Sequence, residues 1–405
     1  MASKRPKESN SKSARLWPLL AVNFFMADMQ SGIGPFLGVF LLEHGWASGT
    51  IGTAMTIGNI AGMLITTPVG GFIDTSNRKR VWIIVPGIAV VAASSTILIW
   101  QNFWAVAASQ VATAIAGAAI VPAVTGVTLG MVGQKGFNRQ NGRNQAFNHG
   151  GNMVGAALSG WLGWQFGYLS VFLLSAMFGV ITVACVLLIP PASIDHRAAR
   201  GGKEDDPDHQ PSGVTVLLRH KALLVLALAM AVFQLGNAAI VPLYGMSAVS
   251  GAHANGPSFV ATIIVIAQGV MVIASLVAMQ VAEKRNYWLI ILGSFLVLPL
   301  RGLFAYFFDG WWGVVPVEIL DGIGIGLQSV AVPGMVARSL YGTGRVNLAQ
   351  GAVITIQGAG AAISPALGGW IAQSVGYSPT FLVLGGFGLL AAVVWIGLRS
   401  EVKQY

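Results

Sequence analysis

The chain has 405 residues, of which 9% are Asp, Glu, Lys or Arg, 55% are hydrophobic and 52 are glycine. A soluble domain carries about a quarter charged residues, so these proportions exclude a water-surrounded globule and make lipid the main solvent; the mean hydropathy of +0.70 agrees. The formal net charge of +9 comes from basic residues at the ends of apolar runs with no aromatic interleaving, which argues for topology rather than a nucleic-acid partner, and a single cysteine, Cys185, excludes disulfide frameworks and cysteine metal sites.

Residues 1–15 are polar and basic and read as an N-terminal tail. The apolar stretch that follows is longer than a signal-peptide core and holds Asp28, so it reads as an uncleaved first span. Since a bilayer crossing needs about 20 apolar residues, six spans are predicted at 16–42, 49–72, 81–101, 103–132, 144–166 and 168–190, an N-terminal bundle over 16–190. Residues 191–221 include Asp195-His196-Arg197 and Lys203-Glu204-Asp205-Asp206-Pro207-Asp208, too charged and proline-broken for lipid, and read as a connector. Six more spans are predicted at 222–250, 257–281, 286–307, 311–337, 349–374 and 377–398, a second bundle over 222–398, with 399–405 as a tail. The expected fold is all-α, twelve transmembrane helices in two six-helix bundles.

Lysine and arginine mark the side retained in the cytoplasm. They precede span 1 (Lys4, Arg5, Lys7, Lys12, Arg15), follow span 2 (Arg78, Lys79, Arg80) and span 4 (Lys135, Arg139, Arg143), fill the connector, and follow spans 8, 10 and 12 (Lys284, Arg285; Arg338, Arg345; Arg399, Lys403). The opposite loops, such as Glu43-His44-Gly45-Trp46 and Asp309-Gly310-Trp311-Trp312, carry neither residue, and their tryptophans suit the interfacial belt. Both termini are therefore expected in the cytoplasm, in an inner-membrane-type protein.

The two halves repeat at a spacing of about 209 residues: Gly151 with Gly360, Gly160-Trp161 with Gly369-Trp370, Gly167-Tyr168 with Gly376-Tyr377, and Asp74 with Glu283. An even number of spans separates the copies, so both have the same orientation, as in halves related by an axis along the membrane normal.

The run Gly70-Gly71-Phe72-Ile73-Asp74-Thr75-Ser76-Asn77-Arg78-Lys79-Arg80 has a glycine, three residues, an aspartate and a basic cluster. It resembles the signature loop of the major facilitator superfamily, with Thr75 where a basic residue is usual and Asn77 where glycine is usual. Span 5 reads Gly142, Gly151, Gly155-Ala156 and Ser159-Gly160, similar to the glycine pattern of members that exchange substrate for protons, without its usual proline; span 11 carries Gly351, Gly360, Ser364-Pro365 and Gly368-Gly369. Thr113 replaces the arginine that the exporters carry before the glycine of span 4, and Glu318 holds the comparable place before Gly322 in span 10.

The resemblance implies a secondary transporter moving a small organic solute by alternating access, with proton coupling and export favoured over import. It implies a monomer in a lipid bilayer with no cofactor and no enzymatic activity. Gly70, Asp74, Arg78 and Lys79, with Glu283 and Lys284 in the repeat, would latch the ends of the halves, while Gly151, Gly155 and Pro365 would serve the sliding helices. Rival readings are a proton-coupled importer or uniporter of an organic anion, a membrane sensor or lipid-handling protein without solute flux, and an intramembrane enzyme. No phosphate-binding loop for an ATP-driven pump is found.

An ionised side chain at mid-bilayer costs roughly 2.5–3.5 kcal/mol on insertion scales, so a retained one needs a partner or a purpose. Asp28 shares a face of span 1 with Phe24, Ser31 and Pro35 and is a candidate for solute or proton binding, with Gln30 close by; the plain alternative is a buried packing acid. Span 7 offers Gln234, Asn237 and Tyr244. Glu318, Asp321 and Gln328 make a polar stripe on span 10, and Arg301 in span 9 either pairs with one of these acids or faces the solute, which would then be anionic. His149 and Asn152 form a stripe on span 5, where His149 either titrates or bonds between helices. The histidines gather into no metal-ligand spacing.

Overall fold

The computed structural model describes residues 7–31, 34–195, 220–251, 254–284, 286–308, 310–340 and 346–402, and all regular structure among them is helical. The first bundle contains α1 (Lys7–Ser31), α2 (Gly34–Glu43), α3 (Ser48–Thr75), α4 (Val81–Ser95), α5 (Phe103–Phe166) and α6 (Tyr168–Leu187). The second contains α7 (Lys221–Asn237), α8 (Ile240–Ser250), α9 (Gly256–Lys284), α10 (Tyr287–Phe307), α11 (Trp311–Ser339), α12 (Val346–Val375), α13 (Tyr377–Gly397) and the short α14 (Arg399–Val402). Among the described residues, nine helical stretches are individually long and apolar enough to cross a bilayer. Their order agrees with the twelve-span plan, whose first span is divided between α1 and α2. The outer surface is apolar: Leu64, Phe72 and Ile99 are exposed, the reverse of a soluble protein.

Three predicted boundaries change. The first helix starts at Lys7 rather than 16, because residues 7–15 contain neither glycine nor proline to stop it. Span 7 is broken: α7 ends at Asn237 and α8 starts at Ile240, with Pro242 three residues in, and the Ala239 N–H donates to Ser364 Oγ at 2.9 Å. The basic stretch expected as a loop between spans 4 and 5 is helical. It belongs to a 64-residue helix whose one non-helical residue is Gly133, at φ 66° and ψ 175°. A straight helix of that length would run about 96 Å, three bilayer cores, so the chain must turn back. Asn144 Nδ2 donates to Thr128 Oγ1 at 2.9 Å, a contact across 16 residues that only a reversal at Gly133 permits. Positive φ is a backbone conformation that glycine alone adopts without cost.

The repeat is visible in packing. A Cβ on Gly151 would overlap the Phe24 carbonyl, and one on Gly360 the Ala231 carbonyl, so α1 meets α5 as α7 meets α12. The bundles meet along α3 with α12, α5 with α9 and α2 with α8.

Candidate solute cavity and buried charge cluster

At the tryptophan-loop end the seam between α3 and α12 is closed by hydrogen bonds. Ser48 Oγ donates to the Gly369 carbonyl at 3.1 Å, and the Gly49 N–H donates to Gln373 Oε1 at 3.1 Å. One turn deeper Trp370 Nε1 donates to Thr53 Oγ1 at 3.0 Å, and the Ala366 N–H donates to Thr56 Oγ1 at 3.0 Å. Gly52 has no side chain where the Pro365 carbonyl crosses it. Small residues let the backbones approach until these polar atoms meet. On the same side, Gly160 of α5 lies against Ala261 of α9.

On the basic-loop side of these bonds the two bundles line a cavity of about 590 Å³. Its walls include Pro35, Met55, Met63, Val241, Ile264 and Pro365, and its polar groups are Asn59, Thr66 and Thr355. No charged side chain is among the described lining residues. Residues of α2, α3, α5, α8, α9 and α12 contribute, so both halves build it. Of this set the sequence pointed to Pro365, as part of a sliding helix, and to Pro35, as sharing the face of Asp28. Asn59, Thr66 and Thr355 were missed because the search followed charge; an uncharged asparagine inside span 2 was the available signal.

The acids of span 10 lie elsewhere. Arg301 is 1% exposed, Glu318 0%, Asp321 6% and Asn237 6%, and the four meet inside the second bundle. Arg301 approaches Asp321 Oδ1 at 2.6 Å and Glu318 Oε1 at 3.3 Å, and donates to Asn237 Oδ1 at 2.9 Å. One cation with two carboxylates leaves a net charge of −1 when both acids are ionised and none when one carries a proton. The cluster touches the cavity through the backbone: Asn237 ends α7 and the next residue, Ala238, lines the cavity.

The remaining candidates are dispersed. Gln328 Nε2 donates to Ser294 Oγ at 3.2 Å, tying α11 to α10. Tyr244 is buried, and its hydroxyl donates to the Phe308 carbonyl at 2.9 Å, holding the turn between α10 and α11. Gln234 is half-buried one turn before Asn237. His149 Nδ1 lies 2.9 Å from Gln268 Oε1, a bond between the bundles, and Asn152 Nδ2 donates to Asn148 Oδ1 at 3.4 Å. Lys79 is buried and caps the end of α3 by donating from Nζ to the Ile73 carbonyl at 2.9 Å, while Arg78 is exposed. A Cβ on Gly70 would meet nothing within 4 Å, whereas Gly155 is buried in α5. The side chains of Asp28, Gln30, Asp74, Glu283 and Lys284 lie outside the described residues, as do His196, His209 and His253.

Comparison with known proteins agrees with this arrangement. The Major Facilitator Superfamily profile matches residues 19–346. An uncharacterized MFS-type transporter of Mycobacterium tuberculosis (strain CDC 1551 / Oshkosh) is 36% identical over 379 residues, covering 92% of this chain and 91% of the relative. A counterpart from strain H37Rv matches to the same extent. The crystal structure of the nucleoside transporter NupG superimposes with a TM-score of 0.77 at 12% identity, covering 96% of this chain and 98% of NupG. A bacterial homolog of the human lysosomal transporter Spinster, solved in an inward-facing and unoccupied conformation, gives a TM-score of 0.75 at 13% identity over 100% of this chain and 99% of the homolog. At such identities the likeness establishes the fold, and with the profile and the mycobacterial relatives it makes this integral membrane chain a member of the major facilitator superfamily, a family of solute transporters.

Proposed function

We propose that the chain is a proton-coupled secondary transporter that moves a small, uncharged organic solute by alternating access. The observation that carries this reading is the cavity shared by both bundles and bounded at the tryptophan-loop end by the α3–α12 hydrogen bonds. Rocking the halves about this seam would present the cavity to each side in turn. The lining favours an uncharged, largely apolar solute with a few hydrogen-bonding groups to meet Asn59, Thr66 and Thr355. Among the described lining residues a charged solute would find no counter-charge. An organic anion is the weaker reading, because Arg301 is engaged with Glu318, Asp321 and Asn237.

The charge balance of the Arg301 cluster supports coupling: one proton brings it from −1 to neutral, and Asn237 joins it to the α7–α8 break beside the cavity. Asp28 is a second candidate proton site on α1. Outward movement is supported by the antiporter-like glycine spacing in the second half of α5.

The test uses purified protein in liposomes, an imposed pH gradient, and a panel of uncharged and anionic solutes. Gradient-driven flux of an uncharged compound is expected, and Asp321→Asn should abolish the driving effect while solute binding persists. Undiminished proton-driven flux in both Asp321→Asn and Glu318→Gln would reject the assignment of coupling to the cluster. Gly358→Trp should block binding, because Gly358 lines the cavity and a Cβ there meets no neighbour within 4 Å. Wild-type binding by that variant would remove the cavity from the mechanism.

A further inference from the structure

We propose that the groove between α4 and α6 binds one anionic phospholipid of the leaflet beside the basic loops, with its phosphate held by Arg78 and Arg80 and one acyl chain laid along the two helices. At the head of the groove is a cavity of about 270 Å³, lined by Arg78, Arg80, Val81, Ile84, Leu187 and Ile194 among others. Arg80 donates from its guanidinium to the Leu187 carbonyl at 3.1 Å, which fixes it at the end of α6, and its Nε–H has no acceptor among the described residues. Neither arginine has an acid partner among the described residues. Lys79 also lines this cavity; it is buried, and its ammonium donates to the Ile73 carbonyl at 2.9 Å. Two guanidinium groups at a membrane surface, with no counter-anion among the described residues, match a phosphate in charge and in donor geometry.

The same pair of helices continues into a second cavity of about 330 Å³ with wholly apolar walls, among them Ile88, Val91, Ala92, Ala176, Val180 and Val183. Val81, Ile84, Ile88 and Val91 follow one another at steps of three or four on α4, as do Leu187, Val183, Val180 and Ala176 on α6. Both cavities therefore occupy one face of each helix. From Arg80 to Ala92, α4 rises about 18 Å, close to half of a hydrocarbon core of about 30 Å, the depth of one leaflet. Charge at the surface and an apolar trench of that depth together fit a lipid and exceed what a free phosphate would use.

The repeat supplies an internal comparison. The groove of about 450 Å³ between α10 and α13, lined by Leu296, Leu300, Gly385 and Leu389, is the counterpart of the trench. At the spacing of 209, Tyr287 and Leu289 stand where the first half has Arg78 and Arg80, and Arg399 at that end stacks over Trp288 at 5.0 Å. A preference for anionic headgroups is therefore expected of the first groove alone.

Native mass spectrometry of the purified full-length chain with dioleoyl phosphatidylglycerol or dioleoyl phosphatidylcholine tests this. The wild type should retain one phosphatidylglycerol at a concentration about tenfold below that needed for phosphatidylcholine. The Arg78→Gln/Arg80→Gln variant should lose that preference, and Arg78→Lys/Arg80→Lys should keep most of it. Val180→Trp, which fills the trench and leaves the arginines intact, should also lower retention, which keeps the test decisive if the glutamine variant does not fold. Millimolar inorganic phosphate should leave the lipid bound. Equal retention of the two lipids by the wild type, or undiminished phosphatidylglycerol binding in Val180→Trp or in the folded glutamine variant, overturns the proposal. Displacement by phosphate overturns it in favour of a free-anion site.

Discussion

Arg301 illustrates what a single buried charge can require of its surroundings. Its guanidinium meets two carboxylates and an amide with almost no exposure, so each partner compensates desolvation of the others. Arg301→Ala would strand two acids side by side, and a loss of about 3–5 kcal/mol in folding stability is expected, the usual result of removing one member of a buried ion pair. Thermal unfolding in detergent measures this, and a wild-type midpoint would contradict the cluster's structural role. The residues of this cluster were legible in the sequence, because charge inside an apolar run stands out. The cavity was not. Asn59, Thr66 and Thr355 are ordinary polar residues whose convergence depends on how α3 and α12 pack, and helical spacing within one segment carries no information about another.

At the level of helices, some glycines admit a neighbouring backbone, some meet only side chains and others face open space. Gly151 and Gly360 receive carbonyl oxygens, so Gly151→Val or Gly360→Val should cost about 1–3 kcal/mol through overpacking, whereas Gly142→Ala, with nothing within 4 Å of its Cβ, should change little. Unfolding midpoints of the variants separate the two classes, and equal effects would contradict the packing described. Helix identity and order were readable from apolar length, yet the α5 turn was not. Polar residues 134–143 signal departure from lipid, and helical or coiled backbone satisfies that signal equally, since water is available to either. The break in span 7 was hidden for a similar reason: Asn237, Pro242 and Ser364 produce it jointly, and Ser364 comes from α12. The seam at the tryptophan loops yields its own prediction. In a Cys185→Ser background, a Thr56→Cys/Ala366→Cys disulfide, placed where the Ala366 N–H already reaches Thr56 Oγ1 at 3.0 Å, should trap the closed end, abolish transport and release it on reduction; full activity of the oxidised protein would show that the seam need not open.

Across the whole molecule, two copies of a six-helix unit use one packing scheme for different ends. The first bundle presents the Arg78–Arg80 surface, and the second encloses the Arg301 cluster. The side on which the basic segments lie is expected to be the cytoplasm, and membrane-impermeant labelling of single cysteines at Arg78 and Trp46 in intact cells should modify only the latter. Labelling of both would invert or dissolve the layout.

The separation of the Arg301 carboxylates from the cavity has a thermodynamic consequence. Solute and proton, bound as proposed, would compete for no common atom, and the bond from Arg301 to Asn237 at the end of α7 is the visible mechanical link between their sites. Strict stoichiometry then depends on the stiffness of that joint rather than on mutual exclusion. An empty carrier could therefore cycle with its ion alone, and slow acidification of solute-free liposomes, suppressed by Asp321→Asn, is the leak this architecture should display.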